Sequence, residues 1–274
     1  MTVAPASRTP RLVATDLDGT LVAPDGSVTR RTRDVLAALD ERGVAIVLVT
    51  ARPLRWMDEL WPLTGRVGRG IVSNGAVVYD AHARRVLDVT GIEAPEGLAL
   101  TADIGSAVPG ATFALECVSG IKRDPRFHEP HSVPPGSPVA ELSELWTEPA
   151  VKVMVRAPEA DPRLLLEGTV AAVGDRGTVT WTIPGLVEIG PPGVTKATTL
   201  AHVAEDLGLR AADVVAFGDM PNDISMLSWA GTSYAMANGH PSVQACADAV
   251  APANDQDGVA ETLAALFGLE TWDR

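Results

Sequence analysis

The sequence predicts an α/β fold: a doubly wound parallel sheet with a smaller α+β domain inserted into it. Three observations carry this. Short apolar runs recur without polar alternation, as strands covered on both faces require. Amphipathic helical patterns stand between those runs, which is the strand–helix order of a parallel sheet. The middle of the chain has another texture, with visibly alternating runs and a proline-rich segment.

The first buried run is "RLVATD" (11–16). A helix is predicted over 29–42, with Thr29 as N-cap, Val35, Leu36 and Leu39 on one face, and Gly43 as the stop. "GVAIVLVT" (43–50) is the second strand. Residues 53–61 predict another helix, opened by Pro53 and repeating Leu54, Met57 and Leu60. "GIVSNG" (70–75) is the third strand. Further on, 195–207 predicts a helix running from Thr195 through Leu200, Val203 and Leu207 to Gly208. "DVVAFGD" (213–219) is the last strong strand.

Between them, "RRVLDVTG", "ATFALECVSG", "VKVMVRA", "GTVTWTI" and "LVEIG" read as half-exposed antiparallel strands. Helices are predicted near 95–106 and 161–173, and "HEPHSVPPGSP" (128–138) is a loop. The expected organisation is a short flexible N-terminus (1–10), a sheet domain built from 11–82 and 191–274, and an inserted domain at 83–190.

Composition narrows the function. At 274 residues and 46% apolar content, the chain can bury a sizeable core and is not disordered. Its 35 acidic and 22 basic residues give a formal charge of −13, which argues against binding nucleic acid through a basic surface. Anionic substrates remain open to it, because a metal ion and a few local cations reverse the field inside one pocket. Cys117 and Cys246 have no metal-ligand spacing and read as small core residues. "MTVAPASRTP" lacks an apolar signal region, and runs such as "VAIVLV" are far shorter than the roughly 20 residues of a membrane span. The expectation is a reduced, cytoplasmic, soluble protein.

In a sheet of this kind the carboxyl ends of the strands meet at one rim, where ligands bind. The polar residues that end the runs are Asp16 and Asp18, then Thr50-Ala51-Arg52, then Ser73-Asn74-Gly75, then "GDMPND" (218–223); Lys196 opens a later helix. Clustered carboxylates are costly unless a cation sits among them, and Mg2+ takes oxygen ligands while leaving positions for phosphate and water. These groups suit phosphoryl transfer. Cations neutralise a carboxylate and a phosphate ester, one Asp attacks phosphorus, and a second exchanges protons with the leaving alkoxide and then water. Lys196 adds a separate hint, since a cation in a first helical turn opposes the helix dipole. Taken alone it also reads as a solvated surface lysine.

"DLDGTL" (16–21) resembles the first motif of the haloacid dehalogenase superfamily. The ordered set resembles its Cof-type branch, small-metabolite phosphatases with a Rossmann-like core and an inserted type C2B cap. The resemblance covers nearly the whole chain after residue 10. It implies Asp16 as nucleophile and Mg2+ ligand. It implies Asp18 as general acid/base and as ligand through its backbone carbonyl. Thr50 is implied to bind the transferring phosphoryl group, with Lys196 as the third-motif lysine. Asp219 is implied as a metal ligand and Asp223 as a further ligand or a supporting partner. Asn222 is expected to contact phosphate, and Asn74 and Gly75 of "SNGA" (73–76) to line the pocket. "NDQDGVAETL" (254–263) resembles the usual end of the core, with Asn254 supporting the site. Ala51 stands where the family has Gly, and Ala197 follows the lysine where Gly is common; neither change removes a chemical group.

Arg52 has two readings, a contact to substrate phosphate or a pair with a core carboxylate. In the inserted domain Glu116, Lys122, Arg123, His128, His131 and Trp181 are candidate specificity residues, each with the plainer reading of a packed or solvated side chain. Lys122-Arg123 is a pair that a second anionic group would suit. The resulting expectation is Mg2+-dependent hydrolysis of a small phosphorylated metabolite, a sugar phosphate or a phosphorylated cofactor, by a monomer or homodimer that binds neither nucleic acid nor membrane. The alternatives are a phosphotransferase or phosphomutase on the same fold, or a non-catalytic sugar-phosphate sensor.

Overall fold

A computed structural model describes residues 9–128 and 133–269. Residues 1–8 of the expected N-terminal segment and the candidate His131 lie outside them. The chain forms two compact units. One runs up to Arg52 and adds Trp56–Leu87 and the residues from Thr195 onward; the other holds Pro53–Arg55 and Asp88–Val194. The main stretch of the second unit begins at Asp88 rather than 83 and ends at Val194 rather than 190; the strand Arg85–Val89, which the boundary cuts, pairs in the eight-stranded sheet.

In spatial order that sheet contains Ala249–Ala251, Thr232–Met236, Val214–Gly218, Leu12–Thr15, Ala45–Val49, Arg69–Val72, Val77–Asp80 and Arg85–Val89. Pairing is parallel from Ala249–Ala251 to Arg69–Val72 and turns antiparallel at Val77–Asp80. The doubly wound parallel sheet is therefore present, extended by the strand Val77–Asp80, which the sequence did not announce, and by Arg85–Val89, which the sequence reading placed in the inserted domain. The central strands are apolar throughout because both faces are covered. Leu12, Ala14, Val47, Val49 and Ala216 pack with Leu200 and Val203 of helix Lys196–Asp206 and with Met226 and Leu227 of helix Ile224–Trp229. Their alternates Val13, Ile46, Leu48, Val215 and Phe217 are equally buried and point the other way, where helices Arg30–Glu41 and Gly258–Phe267 meet. Each buried Leu, Val, Ile, Phe or Met among them contributes about 1.5–3 kcal/mol of transfer free energy, which makes the strands firm supports for the polar residues at their carboxyl ends.

One predicted helix does not form. Residues 53–61 give two short 3-10 turns, Leu54–Trp56 and Trp61–Thr64. Pro62 supplies no N–H and restricts Trp61, so the apolar spacing of Leu54, Met57 and Leu60 cannot continue as an α-helix.

The second unit is a five-stranded antiparallel sheet in the order Gly120–Arg123, Thr112–Cys117, Lys152–Arg156, Leu186–Gly190, Thr178–Ile183. Helices Ala94–Ala107 and Pro162–Val173 cover one face, burying Leu100, Ile104 and Leu165 against Phe113, Leu115, Val153 and Ile189. Cys117 belongs to this core; Cys246 is partly buried against the core of the first unit, and both are free thiols. Among the described residues no helix is long and apolar enough to cross a membrane.

Candidate active site

Two adjacent parallel strands of the first unit end in acids. Asp16 continues the ladder after Leu12–Thr15, its N–H donating to the carbonyl of Phe217 at 3.0 Å. Asp219 follows Gly218 on the neighbouring strand. Strand pairing thus sets the two carboxylates side by side without any help from their own side chains. Glycine at 19 permits the turn: its φ is +80°, and a Cβ there would lie 2.2 Å from Oδ2 of Asp219. Thr20 then donates its hydroxyl to Oδ1 of Asp219 at 2.9 Å.

Lys196 arrives from another element. Thr195 caps helix Lys196–Asp206 in a reciprocal box with Thr198, which fixes the first turn. The Lys196 side chain is fully buried, and its Nζ donates to Oδ1 of Asp16 at 2.8 Å and Oδ1 of Asp223 at 2.6 Å. Asp223 is engaged on both oxygens, since its Oδ2 accepts the backbone N–H groups of Asp219 and Met220, each at 3.0 Å. It therefore ties the lysine to the "GDMPND" turn.

Asp16, Asp219 and Asp223 offer carboxylate oxygens that all lie within 4.8 Å of one another. Three buried carboxylates face one ammonium, so the cluster carries excess negative charge. Burial raises the Asp16 carboxyl well above its ordinary range; Lys196 pulls it down, while Asp223 and Asp219 push further up. Burial, followed by the Asp223 charge, lifts Asp219 to about 6. Burial alone would lower Lys196, but Asp16 and Asp223 together outweigh it and hold the ammonium charged. An oxygen-only donor set with surplus negative charge is what a hard divalent cation requires.

Asp18 stands apart from that cluster. Its side chain is 61% exposed and is gripped by Arg52, with Nε to Oδ2 at 2.8 Å and Nη2 to Oδ1 at 2.6 Å. Of the two readings of Arg52, the pair with a core carboxylate is the one the geometry contains. Thr50 is buried at the end of Ala45–Val49; its Oγ1 accepts the N–H of Arg52, and its carbonyl accepts the N–H of Asn74. Ala51 makes the bend between them. Ser73 and Asn74 both adopt positive φ, 51° and 57°, a strained pair for non-glycine residues. Gly75 follows at φ +110°, where a Cβ would meet the carbonyl of Thr195 at 2.5 Å. Asn222 donates to Oδ1 of Asn74 at 3.0 Å, joining this turn to "GDMPND". Asn254 donates to the carbonyl of Val22, beyond the Asp18 turn.

The candidates in the second unit are divided between the faces of its sheet. Lys122 pairs in register with Leu115 on the helix-covered side and binds Thr147 and Glu148. Trp181 lies opposite Val187 on that same side. Glu116 and Arg123 point to the other side. His128 is exposed, its ring nitrogen Nδ1 2.9 Å from the carbonyl of Arg126. Sequence reasoning missed Thr20, which is concealed inside "DLDGTL" and donates to Asp219.

The haloacid dehalogenase-like hydrolase family matches residues 13–263. The 5-amino-6-(5-phospho-D-ribitylamino)uracil phosphatase of Bacillus subtilis is 27% identical over 278 residues, spanning 95% of this chain and 98% of that protein. The pyridoxal phosphate phosphatase of Escherichia coli is 28% identical over 266 residues, spanning 92% and 97%. Among solved structures, BT1666 from Bacteroides thetaiotaomicron, a phosphatase of the haloalkanoate superfamily, superposes with a TM-score of 0.81 at 23% identity, covering 97% of this chain and 98% of its own; it speaks for the fold. This chain belongs to the haloacid dehalogenase-like hydrolases, in their Cof-type branch, and is an enzyme of that family.

Proposed function

We propose that the enzyme hydrolyses the phosphate monoester of a small metabolite through an aspartyl-phosphate on Asp16, with Mg2+ as its metal. One observation carries this reading: a buried acid, Asp16, touches a buried ammonium inside an acidic cluster, while a second acid two residues on is held outside the cluster by an arginine fork. The two carboxylates of "DLD" therefore have different surroundings, as different roles demand.

Asp16 and Asp219, with the backbone carbonyl of Asp18, would hold the cation, and Asp223 would support them by fixing Lys196. When bound, a divalent cation supplies the positive charge that lets a carboxylate approach a phosphate dianion. Lys196 neutralises Asp16 and the transferring group from the other side. Thr50 and the Asn74–Asn222 pair bind phosphoryl oxygens. Asp16 attacks phosphorus and the ester oxygen leaves with a proton from Asp18. Asp18 then takes a proton from water as that water attacks the same phosphorus, which frees Asp16 and inorganic phosphate. The Bacillus and Escherichia phosphatases, each named for a small phosphorylated metabolite, support an ester of that class.

The test is a phosphate-release screen over a broad panel of phosphorylated metabolites with Mg2+, run beside Asp16→Asn. Release by the natural protein and none by the variant supports the reading. Equal release by both removes Asp16 from the chemistry.

A further inference from the structure

The residues that follow strand Thr232–Met236 hold the main chain of both acid-bearing turns of the first unit. His240 donates its N–H to the carbonyl of Asp219 at 2.8 Å. A Cβ at Gly239 would lie 3.0 Å from that same carbonyl oxygen and 3.1 Å from Cα of Asp219, so the loop passes as close to this turn as glycine allows. Asn238 reaches the other turn. Its Nδ2 donates to the carbonyl of Gly19 at 2.8 Å, while its Oδ1 accepts the N–H of Asn254 at 2.9 Å. Asn254 in turn donates to the carbonyl of Val22 at 2.8 Å.

The loop is itself anchored. Ala237 donates its N–H to the carbonyl of Ala251 at 2.9 Å. Gln244 Nε2 lies 3.0 Å from the carbonyl oxygen of Ala237, 3.2 Å from that of Met236 and 3.3 Å from that of Gly239. The turn after Asp16 has bonds of its own, but they engage its N–H groups: Thr20 and Val22 both donate to the carbonyl of Leu17. Its carbonyls at Gly19 and Val22 are held from outside, by Asn238 and Asn254.

Asn238 is exposed, and a hydrogen bond of this kind contributes only about 0.5–1.5 kcal/mol net, so stability gives little reason for the arrangement. Placement gives a better one. The peptide between Asp18 and Gly19 carries the Asp18 carbonyl, and its orientation turns on the soft dihedrals of those two residues. Gly19 has the widest freedom of any residue type and sits at φ +80°. Pinning the Gly19 carbonyl restrains that freedom. Arg52 holds the Asp18 carboxylate and leaves the main chain alone. The two ends of Asp18 are thus secured by different residues. An amide is the group required at 238, because it donates at one end and accepts at the other; a carboxylate would keep the bond to Asn254 and lose the one to Gly19.

We propose that Asn238 is a positioning residue for the metal: through Gly19 it aims the Asp18 carbonyl, and through its own loop, where His240 holds Asp219, it fixes that carbonyl relative to the Asp219 turn. This rests on the reading above, in which Asp16, Asp219 and the Asp18 carbonyl hold the cation. The test titrates Mg2+ into the natural protein, Asn238→Ala and Asn238→Asp without substrate and follows the melting temperature. In chelator the three should melt close together. The Mg2+ concentration at the midpoint of the melting shift should rise about tenfold in both variants, the loss typical of a group that orients a metal ligand. The aspartate variant is decisive, since an added negative charge near a cation would by itself tighten binding. With p-nitrophenyl phosphate, both variants should need correspondingly more Mg2+, while kcat at saturating Mg2+ and its pH profile stay near the natural values because Arg52 still holds the Asp18 carboxylate. A lower melting temperature in chelator with an unchanged midpoint makes Asn238 a structural residue and overturns the proposal. Tighter Mg2+ binding by Asn238→Asp overturns it as well, as does a natural protein whose melting ignores Mg2+. If the midpoints rise tenfold and the natural protein hydrolyses no ester, the phosphatase reading fails and the role of Asn238 stands. If the natural protein releases phosphate with Mg2+ and both variants share its midpoint, the role of Asn238 falls and the phosphatase reading stands.

Discussion

Lys196 Nζ lies 2.8 Å from Oδ1 of Asp16, with the lysine side chain wholly buried and a second carboxylate, Asp223, at 2.6 Å. Removing one member of such a group strands the others in a low-dielectric setting. Lys196→Met leaves three buried carboxylates without their ammonium and should cost about 3–5 kcal/mol of stability as well as activity. Asp16→Asn keeps shape and hydrogen bonding and should cost much less stability while abolishing turnover. Urea denaturation of the two variants, read beside phosphate release, checks the contrast. Equal stability of Lys196→Met and the natural protein would mean that the acids are neutralised by other means.

The acidic cluster makes metal-free stability depend on pH in an unusual direction. Asp219 is raised from 3.8 to about 6, chiefly by burial, so the folded state holds its proton more tightly than the unfolded chain does. This contribution is fully present below the unfolded value, is lost as pH rises through the folded value near 6, and stays lost above it. The displacement corresponds to roughly 3 kcal/mol at most. In the presence of chelator, the melting temperature should decline between about pH 4 and pH 6, over and above the protein's other titrations. Added Mg2+ should raise it more at pH 7 than at pH 5. Asp219→Asn should flatten that part of the profile and remove the response to Mg2+. A Mg2+ shift of equal size at both pH values would contradict the assignment.

The Arg52–Asp18 fork separates positioning from stability. Because Asp18 is mostly exposed, the pair should contribute only about 0–1 kcal/mol to folding. If it orients the acid/base group, Arg52→Ala lowers kcat at least tenfold with little change in melting temperature. Arg52→Lys recovers only part of the loss, since an ammonium cannot hold both oxygens in a fork. An unaltered kcat in Arg52→Ala would leave the fork without a catalytic purpose.

Gly19→Ala tests the close approach of the turn to Asp219. The new methyl would lie 2.2 Å from Oδ2, at a backbone φ of +80°. The backbone strain costs about 1–3 kcal/mol. Asp219 must move aside, so the Mg2+ concentration needed for half-maximal phosphate release should rise at least tenfold. A Mg2+ titration identical to that of the natural enzyme would show that Asp219 does not hold the metal.

Much of the first unit was legible because burial on both faces leaves a one-dimensional mark. "RLVATD" and "DVVAFGD" are apolar up to the residue where the strand reaches the rim, and Asp16 and Asp219 fall there. Lys196 was legible as a cation at the wrong end of a helix. The false helix at 53–61 came from reading Leu54, Met57 and Leu60 by spacing while Pro62 lay just past the window. Val77–Asp80 was hidden because a short antiparallel strand after a tight turn shows no longer-range pattern. Glu116, Lys152 and Glu188 sit where alternation expects solvent-facing residues, so sequence alone gives no sign that they are buried together. Only strand register relates residues at positions 116, 152 and 188, and register is not written in any local stretch.

The most direct test of the central claim is covalent. Asp18→Asn keeps the nucleophile and removes the group that protonates the leaving oxygen and activates water, so a substrate whose leaving group needs no proton should load the enzyme and the phosphorylated form should persist. A brief reaction of that variant with p-nitrophenyl phosphate, an acid quench and peptide mapping by mass spectrometry should find one phosphoryl group on the peptide that contains "LVATDLDGTLV", at Asp16. A phosphoryl group on another residue, or none on the enzyme while phosphate is still released, would contradict the account.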